Sequence, residues 1–302
     1  MEAEGWCPQT EGLWKGGVVE MLNGIASGSG QLPSLRDLEL NGASNHVQFG
    51  SGSADALAKG IFNRKYPSLR SVKLSCECVD QVHMRELSRA LESRQAMSVR
   101  MLDISVGDED EVESDTNSED EAVEKGSRML PLAVALGSKG LRGLKVLSLG
   151  SPLSRPGVEV LCLALRSRYS GDLRSLRSLQ LILDVDCKPT GVRTLTEVLT
   201  ADNLPALRRL KVEINELNDD ELMEMVDVWS ETEPPPLYEL DLEASEADIS
   251  DEGVVLLTSL LCSAKFPSLV WVLLNVSSES ARTLLQSLFP ESRRERRQSR
   301  FL

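Results

Sequence analysis

Leu204 to Val212 reads L-P-A-L-R-R-L-K-V, with apolar residues at Leu207, Leu210 and Val212. Alternation of apolar and polar residues is the mark of a strand buried on one face. The frame L-x-x-L-x-L, with apolar substitutes, recurs in seven other stretches. They are L-P-S-L-R-D-L-E-L (32–40), Y-P-S-L-R-S-V-K-L (66–74), S-V-R-M-L-D-I (98–104), L-R-G-L-K-V-L-S-L (141–149), L-R-S-L-R-S-L-Q-L (173–181), P-P-L-Y-E-L-D-L (235–242) and F-P-S-L-V-W-V-L-L (266–274). The first apolar position falls at Leu35, Leu69, Val99, Leu144, Leu176, Leu207, Leu237 and Leu269. Six of the seven gaps are 30 to 34 residues, and the seventh, 45, holds an insertion. Such a period predicts a stack of like units.

After the strands comes a second pattern with helical spacing: Met129, Leu132, Ala133 and Leu136, then Val158, Leu161, Cys162 and Leu165. It returns at Leu222, Met225, Val226 and Trp229, and at Ala281, Leu284, Leu285 and Leu288. Asn218 followed by Glu221 has capping-box spacing, and Ser250 and Ser278 precede apolar runs as N-caps do. Each unit is therefore expected to be strand, turn, helix and return loop. Joined by right-handed crossovers, such units build a curved parallel sheet with helices outside. Residues 1–31 read as an irregular N-terminal half unit, with Val18, Met21, Leu22 and Ile25 on one helical face. Residues 32–290 are the array of about eight units, and 291–302 a solvated basic tail with five arginines.

The segments N-E-L-N-D-D-E-L from Asn215 and D-I-S-D-E-G-V-V-L-L from Asp248, taken with the strand frame, resemble the post-strand loop and helix start of leucine-rich repeat proteins. The ribonuclease-inhibitor-like class, with a full helix in each repeat, is the most similar, over about residues 32–289. The resemblance implies an α/β fold, a leucine-rich repeat solenoid or horseshoe with a parallel concave sheet and convex helices. The asparagine that this family places three positions after the last strand leucine stands only at Asn215. Ala43, Glu77, Gly107, Pro152, Asp184, Ser245 and Ser277 occupy the equivalent positions. The resemblance also implies work by binding protein partners, and some members of the class activate GTPases, which gives a second functional expectation. Ribonuclease inhibition would call for an acidic, aromatic-rich inner face, whereas most of the face read here is basic.

Nothing in the sequence points to catalysis. Two histidines, His46 and His83, lack partner spacing for a nucleophile or a metal, and Cys76-x-Cys78 supplies too few ligands for zinc. Phosphate-loop and dinucleotide fingerprints are missing. We expect no enzyme activity, no cofactor and no metal. Scattered cysteines, no signal-like leader and no membrane-length apolar run predict a cytoplasmic protein, with the arginine tail leaving the nucleus open. Cys162 and Cys262, both in apolar helical patterns, are expected to be buried thiols.

Charge is uneven along the chain. The insertion, residues 107–125, contains the run 107–124, in which ten residues are Asp or Glu and none is basic; without that run the net charge of −14 becomes −4. So acidic a run is expected to be a disordered rim loop, with Ser118, before Glu119, Asp120 and Glu121, as a phosphorylation candidate. The second position of the strand frame is basic in six of eight units: Arg36, Arg70, Arg100, Lys145, Arg177 and Arg208. Strand alternation sends the third and fifth positions to the inner face and leaves the second exposed where the strand begins. Over these three positions the second to sixth units carry a net +7, centred on Arg208, Arg209 and Lys211.

The candidate partner-binding residues are thus Arg70, Lys73, Arg100, Lys145, Arg177, Arg208, Arg209, Lys211 and the apolar Trp271. The expected partner is a protein with an acidic segment, and the 107–124 run, with a flexible reach of about 23 Å, is an internal competitor. The acidic net charge and the lack of interleaved aromatics argue against nucleic acid. An equally simple reading makes the basic ladder a consensus copied with the unit. Trp271 and Leu273 should face the inner side, covered by the tail or serving as an anchor for a partner.

Overall fold

The computed structural model describes residues 14–41, 51–76, 81–106, 130–166, 173–184, 187, 190–274 and 279–289. Eight strands form one parallel sheet in sequential order: β1 (Asp37–Asn41), β2 (Ser71–Cys76), β3 (Met101–Val106), β4 (Val146–Leu153), β5 (Ser178–Leu183), β6 (Arg209–Asn218), β7 (Glu239–Asp248) and β8 (Trp271–Leu274). Nine α-helices are found among the described residues. They are α1 (Trp14–Ser27), α2 (Ser51–Phe62), α3 (Gln81–Glu92), α4 (Leu130–Leu136), α5 (Arg155–Arg166), α6 (Thr190–Val198), α7 (Asp219–Glu231), α8 (Asp251–Leu261) and α9 (Glu279–Leu288). Every strand pairs with the next, and every helix packs on the next, so each strand-and-helix unit leans on its sequence neighbours.

The strand frame explains the register. Leu38, Val72, Leu102, Leu147, Leu179, Leu210, Leu240 and Val272 lie level across the sheet, as do Leu40, Leu74, Ile104, Leu149, Leu181, Val212, Leu242 and Leu274. From β2 onward these residues are buried against the helices, and a one-residue slip would turn the whole set to water. In β1, at the edge, Leu38 and Leu40 are only partly buried. Burial of each leucine is worth roughly 1.5–3 kcal/mol, and one continuous core runs from Leu22 to Phe289.

A turn precedes each strand. The N–H of Leu35, Leu69, Val99, Leu144, Leu176, Leu207 and Leu269 donates to the carbonyl three residues earlier, and in the seventh unit Leu237 reaches Pro235 instead. Three of these turns extend into short 3-10 helices, Arg94–Ser98, Lys139–Leu141 and Leu173–Ser175. Lysines tie two of the helix ends. Lys65, almost buried, donates to the carbonyls of Gly28 and Gly30 beyond α1, and Lys265 donates to those of Trp229, Ser230 and Thr232 at the end of α7. A cation at a helix C-terminus answers both free carbonyls and the helix dipole.

Helix α2 closes with a Schellman pair: Lys65 N–H donates to Gly60 O and Arg64 N–H to Ile61 O. Arg64 occupies the left-handed position of that motif at φ 55°. Glycine is usual there, and a side chain costs about 1–2 kcal/mol.

The helix-start readings meet their residues. The Asn218 side chain accepts from the amides of Asp220 and Glu221 while Glu221 returns to Asn218 N–H, and Ser250 accepts from Gly253 N–H. Ser278, His46, Ser118, the acidic run and the basic tail lie outside the described residues. Two expectations are corrected. Cys162 is buried, but Cys262 is exposed, because α8 stops at Leu261 and Cys262 sits on the turn beyond it. Leu288, assigned to the apolar stripe of α9, is 43% exposed at the last residue of that helix. No helix of the described residues is long and apolar enough to cross a membrane.

Candidate functional site

Backbone bonding sets the basic positions side by side where the strands begin. Arg70 N–H donates to Arg36 O at 2.7 Å, Arg100 to Arg70 at 2.7 Å, Lys145 to Arg100 at 2.7 Å, Arg177 to Lys145 at 2.7 Å and Arg208 to Arg177 at 2.9 Å. The row continues through Tyr238 to Val270. Each carbonyl in it also accepts from the following residue of the next unit, as Arg36 O does from Ser71 N–H, so the row is pinned twice at every step. Its members therefore repeat at the strand spacing of about 4.8 Å, well inside the ~8 Å Debye length.

The nine candidates divide by what their side chains do. Arg100 Nη1 donates to Met97 O at 2.7 Å and Val99 O at 3.0 Å, with its guanidinium laid over Gly143. Arg208 Nη1 donates to Pro205 O at 3.2 Å and Leu207 O at 3.0 Å. Both arginines fold back on the turn before their own strand and hold its carbonyls. Arg70, Lys145 and Arg177 are exposed and, among the described residues, make no side-chain hydrogen bond or ion pair. Arg36 shares this state and completes the row.

On the open face of the sheet the cations meet acids of adjoining strands. Lys73 lies 3.0 Å from Glu39, Arg209 3.2 Å from Glu239, and Lys211 2.7 Å from Glu243 and 4.0 Å from Asp241. The hydrogen bond to Glu39, its charge and the more distant Asp103 raise the Lys73 pKa against a small desolvation. For Lys211, burial pushes the pKa down, but the bond to Glu243 and the charges of Asp241, Glu243 and Glu213 outweigh it, and the net shift is upward. Two of the three positive charges of the sixth unit, Arg209 and Lys211, are thus answered across β6 and β7. Counting the second to sixth units alone leaves those acids out; reading the same positions in the first and seventh units, Glu39, Glu239 and Asp241, shows them in the sequence.

Charge accordingly sorts along the strands. Six cations stand at the strand starts, mixed charges follow at the third and fifth positions, and Glu213 and Glu243 lie level further on. Trp271 is half-buried on the open face beside Glu239, and its indole N–H is enclosed with no hydrogen-bond partner among the described residues. It stands at the far end of the sheet, four strands or more from Arg70, Arg100 and Lys145, so the structure does not join these into one patch.

Among the described residues, one histidine and one buried thiol stand out. His83 Nε2 is 4.0 Å from Asp55 Oδ2, and Cys162 has its thiol pushed up to about 12, first by burial. No cluster of three or more metal-ligating side chains is found among the described residues. Compared with known proteins, the chain matches no family and none of the curated proteins.

Proposed function

We propose that the chain is a protein-protein interaction scaffold without catalytic turnover. In this reading it is a leucine-rich repeat solenoid of the ribonuclease-inhibitor-like class, and the strand-start edge of its inner sheet receives an acidic segment of a partner protein. One observation carries the reading: Arg36, Arg70, Lys145 and Arg177 stand exposed in a single backbone-pinned row with no side-chain partner among the described residues. Like charges held this closely repel, and an acidic ligand relieves that repulsion. Arg100 and Arg208 contribute charge to the row while their guanidiniums stay on the turns. The cytoplasm or nucleus is the compartment we assign.

The test uses a fluorescein-labelled peptide of ten glutamates titrated into the full chain. Arg70→Glu with Arg177→Glu is expected to weaken binding at least tenfold, and Lys59→Glu, an exposed cation on α2, to leave it unchanged. Equal loss from both changes would show a diffuse charge effect and remove the row. Deleting 107–124 should tighten binding if that run competes for the same edge; unchanged affinity removes the internal competitor.

A further inference from the structure

We propose that a cavity beside the strand-start row takes one apolar side chain of the acidic segment that the row receives; this rests on the reading of the row just given. The cavity, about 160 Å³, lies between the connection from α2 to β2 and the connection from α3 to β3. Those connections end at Arg70 and Arg100, so the cavity adjoins the row between its second and third members. Its walls include the buried Ile61, Tyr66, Leu69 and Val99. Its two charged residues, Arg64 and Arg94, are both exposed, and neither makes a side-chain hydrogen bond or ion pair among the described residues.

Size decides the class of occupant. An apolar cavity of about 150 Å³ accepts a benzene ring, whereas pockets for drug-sized molecules begin near ~300 Å³. One leucine- or phenylalanine-sized side chain fills this space, and a nucleotide does not fit. Charge decides what surrounds that side chain. Two unpaired guanidiniums flank the cavity, and the row beside it adds further unpaired cations, which suits an apolar residue set within a run of carboxylates. Arg64 is also the residue held at φ 55° where glycine would be unstrained. The Schellman turn sets that backbone conformation, and among the described residues no hydrogen bond or ion pair uses the Arg64 guanidinium, which is therefore available to an anion at the cavity mouth.

The probe is a fluorescein-labelled pentapeptide with phenylalanine between two pairs of glutamates, compared by anisotropy with the same peptide carrying glycine at its centre. The full chain should bind the phenylalanine peptide at least tenfold more tightly. Arg94→Gln and Arg64→Gly should each weaken that peptide at least fivefold, and the thermal midpoint of Arg64→Gly should equal or exceed that of the unaltered chain. Arg94→Gln, on an exposed turn, carries the test even where Arg64→Gly changes folding. Equal binding of the two peptides, both still weakened by Arg70→Glu, would overturn the cavity and keep the row. Failure of both peptides to bind would overturn the cavity and the row together. Displacement of the peptide by phenylacetate at equal concentration would replace the peptide with a small aromatic carboxylate.

Discussion

Replacing Lys265 with methionine keeps the aliphatic stem and removes the ammonium that closes α7. That ammonium donates to Trp229 O at 3.0 Å, to Thr232 O at 2.9 Å and to Ser230 O. A hydrogen bond to a charged donor is worth about 1.5–3 kcal/mol net. Three such bonds do not sum here, because Lys265 is only half-buried and water reaches carbonyls at a helix end. The loss of one full bond, with up to ~1 kcal/mol for the cation on the helix dipole, gives an expected destabilisation of about 2–3 kcal/mol. Urea unfolding followed by tryptophan emission measures it where it acts. Trp229 is fully buried, its indole donates to Leu199 O at 3.1 Å, and Phe266 stacks edge-on at 5.4 Å. Lys65→Met should behave likewise at α1, and with the two sites near opposite ends of the sheet their effects should add. A change below about 0.5 kcal/mol in Lys265→Met would mean that the ammonium is a surface ornament and that the turn alone ends the helix.

Gly140→Ala is expected to cost about 2–4 kcal/mol by urea unfolding, because a Cβ there would overlap the carbonyl oxygen of Leu91 and the backbone of Glu92, which cannot swing aside. Tyr66→Phe should stabilise by about 1 kcal/mol, since the hydroxyl is enclosed with no hydrogen-bond partner among the described residues. Burial raises the Tyr66 pKa above 10.0, so the unfolded chain ionises first and stability falls as pH climbs past that value; the phenylalanine variant should lack this fall. Lys211→Met should lose about 1–2 kcal/mol at pH 7 by leaving Asp241 and Glu243 without their shared cation. The Lys211 pKa is raised, so its stabilisation is complete below 10.5 and lost above, and the gap between variant and unaltered chain should close in alkaline urea titrations.

The strands were the most legible part of the chain because period-two alternation and the turn before each one are local properties of ten residues. All eight frames coincide with strands, level at the positions the leucines predict. Helix α7 could be read from Asn218 and Glu221, which satisfy each other within one turn. Helix α2 was harder to see. It opens Ser51, Gly52, Ser53, residues that favour turns, and its packing face is built from Ala54, Ala58 and Ile61 around Leu57 rather than a leucine stripe. The ion pairs of the open face escaped because they join residues about 30 positions apart, and only the strand register says which carboxylate meets which lysine. The cavity escaped for the same reason: neither Arg64 nor Arg94 belongs to the recurring sequence frame, and they line one cavity only because two connections stack.

That register also separates the cations by task, which composition cannot do. Lys65 and Lys265 hold helix ends, Arg100 and Arg208 hold turns, and Lys73, Arg209 and Lys211 face carboxylates. A consensus copied with the unit for structural reasons would place every second-position cation on its own turn, as Arg100 and Arg208 are placed. Arg36, Arg70, Lys145 and Arg177 occupy the same backbone position, in the same bonded row, without that use. Mutual repulsion of exposed charges in a row fades as salt rises, whereas turn-holding bonds, partly shielded from water, are much less sensitive. Neutralising Arg70 and Arg177 to glutamine should therefore raise stability slightly at low ionic strength and leave it unchanged at 1 M salt, while Arg100→Gln should destabilise at both. If Arg70→Gln and Arg100→Gln prove equally damaging at every salt concentration, the row is scaffold throughout, and recognition must be sought on another face.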